Sequence, residues 1–129
     1  VEVGTNVVVD VSSVGQMLGA GPSMPVVATY PDHPITQNFG LITAFPLARS
    51  VTPLEGGSNG RTAQPIATTS AQSWAETDLT GIFAGTPVKN DEGVDTAGPI
   101  TLGAAIGIDA PQAPATPTPA AAPGQPPAE

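Results

Sequence analysis

The stretch Tyr30-Pro31-Asp32-His33-Pro34-Ile35-Thr36 constrains the fold of this chain more than any other, because neither of its prolines can donate to a strand ladder. It closes an apolar, β-branched run, Pro25 to Tyr30, that reads as a strand. A few residues later comes Phe45-Pro46-Leu47-Ala48-Arg49-Ser50-Val51. Phe39, Ile42 and Phe45 have helical spacing, but a proline inside a helix costs ~3 kcal/mol, which favours a strand with a bulge or an edge position at Pro46. The region holds the only Tyr, the only His and one of three basic residues, yet it is built as a corner running into a strand, with no sign of a reaction centre.

The remaining elements are short and strand-rich. Val3 to Val11 reads as a strand whose Val7-Val8-Val9 run, lacking alternation, points to burial on both faces. Ser12 and Ser13 offer N-caps for one short helical turn through Val14, Met17 and Leu18, ended by Gly19. After the flexible turn Glu55 to Gly60, Gln64 to Thr69 is a short strand, and Ser73-Trp74-Ala75-Glu76 matches a capping box that would open a helical turn or two before Gly81. An acidic loop, Lys89 to Asp95, leads into a last strand, Pro99 to Ile108. The expected class is α/β, strand-rich, with a mixed β-sheet and one or two short helices, over residues 1–109.

Residues 110–129 alternate Pro, Ala and Thr, with a single charge in the run from Ala110. Such a segment has almost nothing to bury and is expected to be a disordered, semi-rigid linker. A PxxP ligand is the functional alternative for it. The start Val1-Glu2-Val3, with neither initiator Met nor basic signal region, reads as that of an excised piece of a longer chain, so any anchor or signal is expected outside it.

Composition excludes several functions. Three basic residues against eleven acidic ones leave a net charge of −8, which repels nucleic-acid phosphates and anionic headgroups. The absence of cysteine removes disulfides, thiolate metal sites and a cysteine nucleophile. No run reaches the about 18 apolar residues of a membrane span, so direct membrane insertion is not expected.

Candidate chemical sites are weak. Asp32 beside His33 evokes an oriented general base, but sequence neighbours seldom orient each other's rings, and both side chains suit turn-setting hydrogen bonds. Ser70 and Ser73 could serve as nucleophiles, yet neither lies in a G-x-S-x-G elbow. Asn90 to Asp95 could gather oxygens around calcium but lacks regular ligand spacing, and one His without Cys makes zinc improbable. Gly19-x-Gly21 lacks the third glycine of a dinucleotide fingerprint. Trp74 could stack on a sugar or pack a helical turn onto the sheet. No enzyme activity and no cofactor are expected.

Taken in order, Val7-Val8-Val9-Asp10, Tyr30 with His33-Pro34-Ile35-Thr36, Phe45-Pro46-Leu47-Ala48-Arg49-Ser50, Thr68-Thr69-Ser70 with Ser73-Trp74-Ala75-Glu76, and Gly98-Pro99-Ile100-Thr101-Leu102-Gly103 resemble the later part of the auxiliary-component domain of ABC transport systems linked to gliding motility, the GldG-like group. The resemblance covers about residues 3–108. It implies a three-layer fold related to flavodoxin-like or glutamine-amidotransferase-like domains, of which an earlier α/β half and a final strand lie outside this chain. It also implies a non-catalytic domain on the extracytoplasmic, periplasmic side of a bacterial inner membrane, anchored by segments elsewhere and associated with an ABC permease and ATPase. Strands parted from a missing sheet would expose edges and favour self-association. The residues expected to make contacts are Asp32, His33, Arg49 and Trp74. The alternative is a carbohydrate- or polymer-binding module of a secreted multidomain protein, with the tail as its stalk.

Overall fold

In the computed structural model, residues 1–57 and 59–115 are described. Among the described residues nine strands and two helices follow in chain order: β1 Glu2–Val3, β2 Val7–Asp10, α1 Ser13–Met17, β3 Val26–Val27, β4 Thr43–Ala44, β5 Val51–Thr52, β6 Arg61–Thr68, β7 Ser73–Glu76, α2 Leu79–Ala84, β8 Thr96–Ala97 and β9 Thr101–Ile108. They form a three-stranded sheet, β2-β7-β8, and three two-stranded ladders, β1-β5, β3-β4 and β6-β9.

The strand-rich character with two short helices matches the sequence. The mixed sheet does not, because every ladder between these strands is antiparallel. Parallel pairing needs a crossover of a dozen or more residues, usually helical, and α2, the longer helix, has six residues, spanning about 9 Å. The described residues include no helix long and apolar enough to cross a membrane. The linker expected over residues 110–129 lies mostly outside the described residues; 110–115 are exposed and without regular structure.

Val7, Val8 and Val9 are all buried, as their unbroken apolar run requires. Strand β2 lies against β7, with Val9 opposite Trp74 and Asp10 opposite Ser73. Its backbone also meets the corner segment, where Val8 N–H donates to the Ala48 carbonyl at 2.8 Å. Val8, Val27, Ala67, Ala75, Ile100 and Leu102 form the apolar cluster, and Tyr30, Phe45 and Ala48 pack onto it. The core is therefore assembled from five stretches that are distant in sequence.

Ser12 caps α1 by accepting from Gly15 N–H at 3.4 Å. The proposed capping box at Ser73–Glu76 is overturned: these residues are strand β7, and α2 begins later, capped by Asp78, which accepts from Gly81 N–H at 3.0 Å. The S-x-x-E pattern is local, whereas β7 is ordered by a four-residue ladder with β2. Helix α2 ends at Gly85, whose φ of +71° is the left-handed conformation that glycine adopts without steric cost.

At Pro46 the chain turns rather than bulging, since β4 ends at Ala44 and Leu47 takes a φ of +52°. Leu47 N–H donates to the Ser23 carbonyl and Phe45 N–H to the Pro25 carbonyl, both at 2.9 Å, which pins this turn across β3. The strand expected from Gln64 starts earlier, at Arg61, and accommodates Pro65 opposite Ala104 next to a break in register at Ala67. A missing proline N–H is tolerated beside such an irregularity.

Candidate functional site

Two polar centres and one apolar corner carry the side chains with chemical or binding potential. The corner begins at Tyr30, whose hydroxyl is hydrogen-bonded with that of Thr43 and whose ring meets Phe39 edge-to-face, centroids 5.1 Å apart at 84°. Burial raises the Tyr30 phenol above its ordinary pKa.

His33 sets the turn that follows. Its Nδ1 accepts from Ile35 N–H at 3.1 Å, and its carbonyl accepts from Thr36 N–H at 2.9 Å and Gln37 N–H at 2.8 Å. The Thr36 hydroxyl closes the loop on the Pro31 carbonyl at 2.7 Å. Asp32 is exposed and, among the described residues, has no side-chain hydrogen bond, so the imidazole orders the turn without a carboxylate behind it. That is not the geometry of an oriented base.

Arg49 is exposed between two anchored neighbours. The Ala48 carbonyl accepts from Val8 N–H and the Ser50 carbonyl from Gly4 N–H, each at 2.8 Å. The Asn6 amide brackets Ser50, donating to its Oγ at 2.9 Å and accepting from its N–H at 3.0 Å. Sequence alternation thus holds the Arg49 backbone in place while its guanidinium stays in solvent. The same corner leaves Ile35, Phe39, Leu41, Ile42 and Leu47 exposed, Leu41 by 68%.

Trp74 is not a surface contact: it is buried on β7, next to Val9 of β2. Its Nε1–H donates to Glu76 Oε2 at 2.9 Å, and Glu76, 1% exposed, accepts with Oε1 from Asp78 N–H at 2.8 Å. One buried carboxylate therefore ties the indole of β7 to the start of α2. Beside it is an open cavity of about 360 Å³, lined by Val9, Val11, Trp74, Ile82, Pro87 and Val88 among others.

The second polar centre joins Asp10 to Ser70 and Ser73, a convergence that no sequence spacing indicates. Asp10, buried at the end of β2, accepts from Ser12 N–H and Ser70 Oγ–H, both at 2.8 Å, and from Ser70 N–H at 3.2 Å. Alongside, Ser73 Oγ–H donates to the Ser70 carbonyl at 2.7 Å and lies 2.6 Å from the Thr69 hydroxyl, which accepts from Ile100 N–H at 2.8 Å. Gly98 approaches Ser73 so closely, its N–H 2.7 Å from the Ser73 carbonyl, that no larger residue would fit. The one local signal is an acidic residue within the valine run Val7–Val11, two residues before Ser12, from whose N–H it accepts. The structure brings Asp10, Ser70 and Ser73 together while His33 bonds within its own turn, so among the described residues Ser70 Oγ–H is paired with the Asp10 carboxylate and neither serine hydroxyl with the imidazole.

The acidic loop is occupied by its own donors. Asp95 accepts from Thr77 N–H and Oγ–H at 3.0 and 2.9 Å, and from Asp91 N–H at 2.8 Å. Burial pushes the Asp95 carboxyl up, but these three hydrogen bonds outweigh it and leave the pKa below the ordinary value. Among the described residues no three His, Cys, Asp or Glu side chains converge as a metal site. The Lys89–Asp91 ion pair, at 3.9 Å and exposed, contributes little. Comparison of this chain with family models, curated proteins and solved structures finds no match in any of the three.

Proposed function

We propose that this chain is a non-catalytic binding domain, an auxiliary part of an ABC-type transport complex of the gliding-motility kind, placed on the extracytoplasmic side of the membrane. The observation that carries the binding role is the corner from Tyr30 to Ser50, a stretch that exposes Ile35, Phe39, Leu41, Ile42 and Leu47 together with Asp32 and Arg49 and whose later part, from Phe45 to Ser50, is hydrogen-bonded to distant backbone. Several exposed large apolar side chains with a few charges at their margin are what a protein partner would cover. The assignment to a transport complex rests on the ordered motifs from Val7 to Gly103. In this reading the short antiparallel ladders are the end portion of a larger three-layer domain, whose remaining strands would pair with the open edges.

Sugar binding has less support, because the only indole is buried and hydrogen-bonded inward. The test is mass spectrometry of what co-purifies with the full-length, membrane-anchored parent protein from gently solubilised membranes. An ABC permease and its ATPase should be recovered, and recovery should fall on Arg49→Ala or Leu41→Ser. A preparation free of transporter subunits would sink the auxiliary role.

A further inference from the structure

We propose that Asn59 is a site of spontaneous covalent modification, converting to aspartate and isoaspartate in the folded protein. The asparagines of this chain are followed by different residues: Asn6 by Val, Asn38 by Phe, Asn90 by Asp and Asn59 by Gly. Conversion requires the backbone nitrogen of the next residue to reach the asparagine Cγ. A side chain on that residue blocks the approach, and glycine has none.

Local structure separates Asn59 further from Asn6; Asn38 shares its exposure and has a φ of +63°, so there the following residue, Phe against Gly, makes the difference. The Asn6 amide is held at both ends by Ser50, at 2.9 and 3.0 Å, and cannot turn toward its own backbone. Asn59 is exposed and lies in a turn whose backbone is left-handed at Gly56, Gly57, Asn59 and Gly60, with Asn59 at a φ of +53°. Exposed turn backbone of this kind opens locally at low cost, so excursions toward an attacking geometry are accessible.

The chemistry balances with water as the only co-reactant. Gly60 N–H loses its proton to hydroxide, the nitrogen attacks Asn59 Cγ, and the Cγ–Nδ2 bond breaks to release ammonia and leave a cyclic imide. Water then opens the imide at Cγ, giving aspartate, or at the main-chain carbonyl, giving isoaspartate with one extra carbon in the backbone.

The position makes the change consequential. Gly60 O accepts from Asp109 N–H at 3.3 Å, and the β6-β9 ladder starts at the next residue, where Arg61 faces Ile108. A lengthened backbone at residue 59 shifts the entry to β6. The new carboxylate also falls near that of Asp109, whose Oδ2 lies 3.4 Å from where a Gly60 Cβ would stand. Both effects loosen the outer end of this ladder.

Trypsin cleavage after Arg49, Arg61 and Lys89 isolates the question, since residues 50–61 contain Asn59 alone, 1–49 contain Asn6 and Asn38, and 90–129 contain Asn90. The whole folded chain is incubated at neutral and alkaline pH, with parallel samples in urea, then digested and read by mass spectrometry with fragmentation that distinguishes isoaspartate. The 50–61 peptide should convert several-fold faster than the other two, faster still as pH rises, and Asn59→Gln should abolish it. Conversion of 50–61 no faster than of 1–49 and 90–129, or conversion confined to the urea samples, would overturn the proposal.

Discussion

The Asp10 centre and the Tyr30–Ser50 corner invert the usual distribution of polarity. In the first, a carboxylate and three hydroxyl-bearing side chains are buried or half-buried, with donors matched to acceptors. In the second, large apolar side chains stand in solvent on a stretch ordered by local turn bonds around His33 and tied to distant backbone at Phe45, Leu47, Ala48 and Ser50. Burying polar groups is tolerable only when they are paired, and exposing apolar ones is useful only when something covers them. The difference points to stability for the first region, while the proposed function places recognition in the second. Substitutions should therefore separate the two regions cleanly.

The largest loss is expected at Trp74. Trp74→Ala removes a buried indole and should cost about 4 kcal/mol of stability, measured by urea denaturation. Trp74→Phe keeps most of the ring but leaves a buried Glu76 oxygen without its donor, a loss of about 2 kcal/mol. Asp10→Ala strands Ser12 N–H, Ser70 N–H and Ser70 Oγ–H at once, and a loss of about 3 kcal/mol follows from the hydrogen bonds to a charged acceptor. A stability change at Asp10 comparable to that of an exposed substitution would remove the distinction between the regions.

Titration gives smaller, directional effects. Asp95 has a folded pKa below its unfolded one, so its contribution is present above about pH 3.9 and disappears as pH falls through the folded value. Asp95→Asn should flatten this acid-side loss in a pH series of denaturation midpoints. Tyr30 runs the other way. Its folded pKa is raised, so its contribution is intact below about pH 10 and declines as pH rises through the folded value. Spectrophotometric titration of this single tyrosine should show the upward displacement, and Tyr30→Phe should remove the alkaline decline.

The smallest stability effects belong to the corner's surface. Leu41→Ser and Arg49→Ala should change stability by no more than about 0.5 kcal/mol while weakening partner recovery. A large loss of stability at either position would show that the corner is part of the core, and the comparison would fail.

Legibility in the sequence followed how local each signal was. Ser12 caps the helix it precedes, and Val7 to Val9 are buried, because capping and apolar patterning act over neighbouring residues. Ser73–Glu76 carries an equally clear local signal and is nevertheless a strand, because Val7–Asp10 offers it a ladder from the far end of the chain. Of the candidate contact residues, Asp32 and Arg49 are exposed and His33 half-buried in its turn, whereas Trp74 is buried. The pairing of Asp10 with Ser70 is not legible in the sequence because the two are sixty residues apart, a separation at which no spacing rule operates.

By itself the sequence determined a strand-rich chain, broken by prolines into short elements, acidic and without cysteine chemistry, since composition and local backbone restrictions need no partner. The antiparallel ladders, the burial of Trp74 and Glu76 and the gathering of serines around Asp10 arise from long-range packing. Each of those depends on which distant backbone edge remains to be paired and which polar group must be satisfied once water is excluded, and both conditions arise only when the chain is folded.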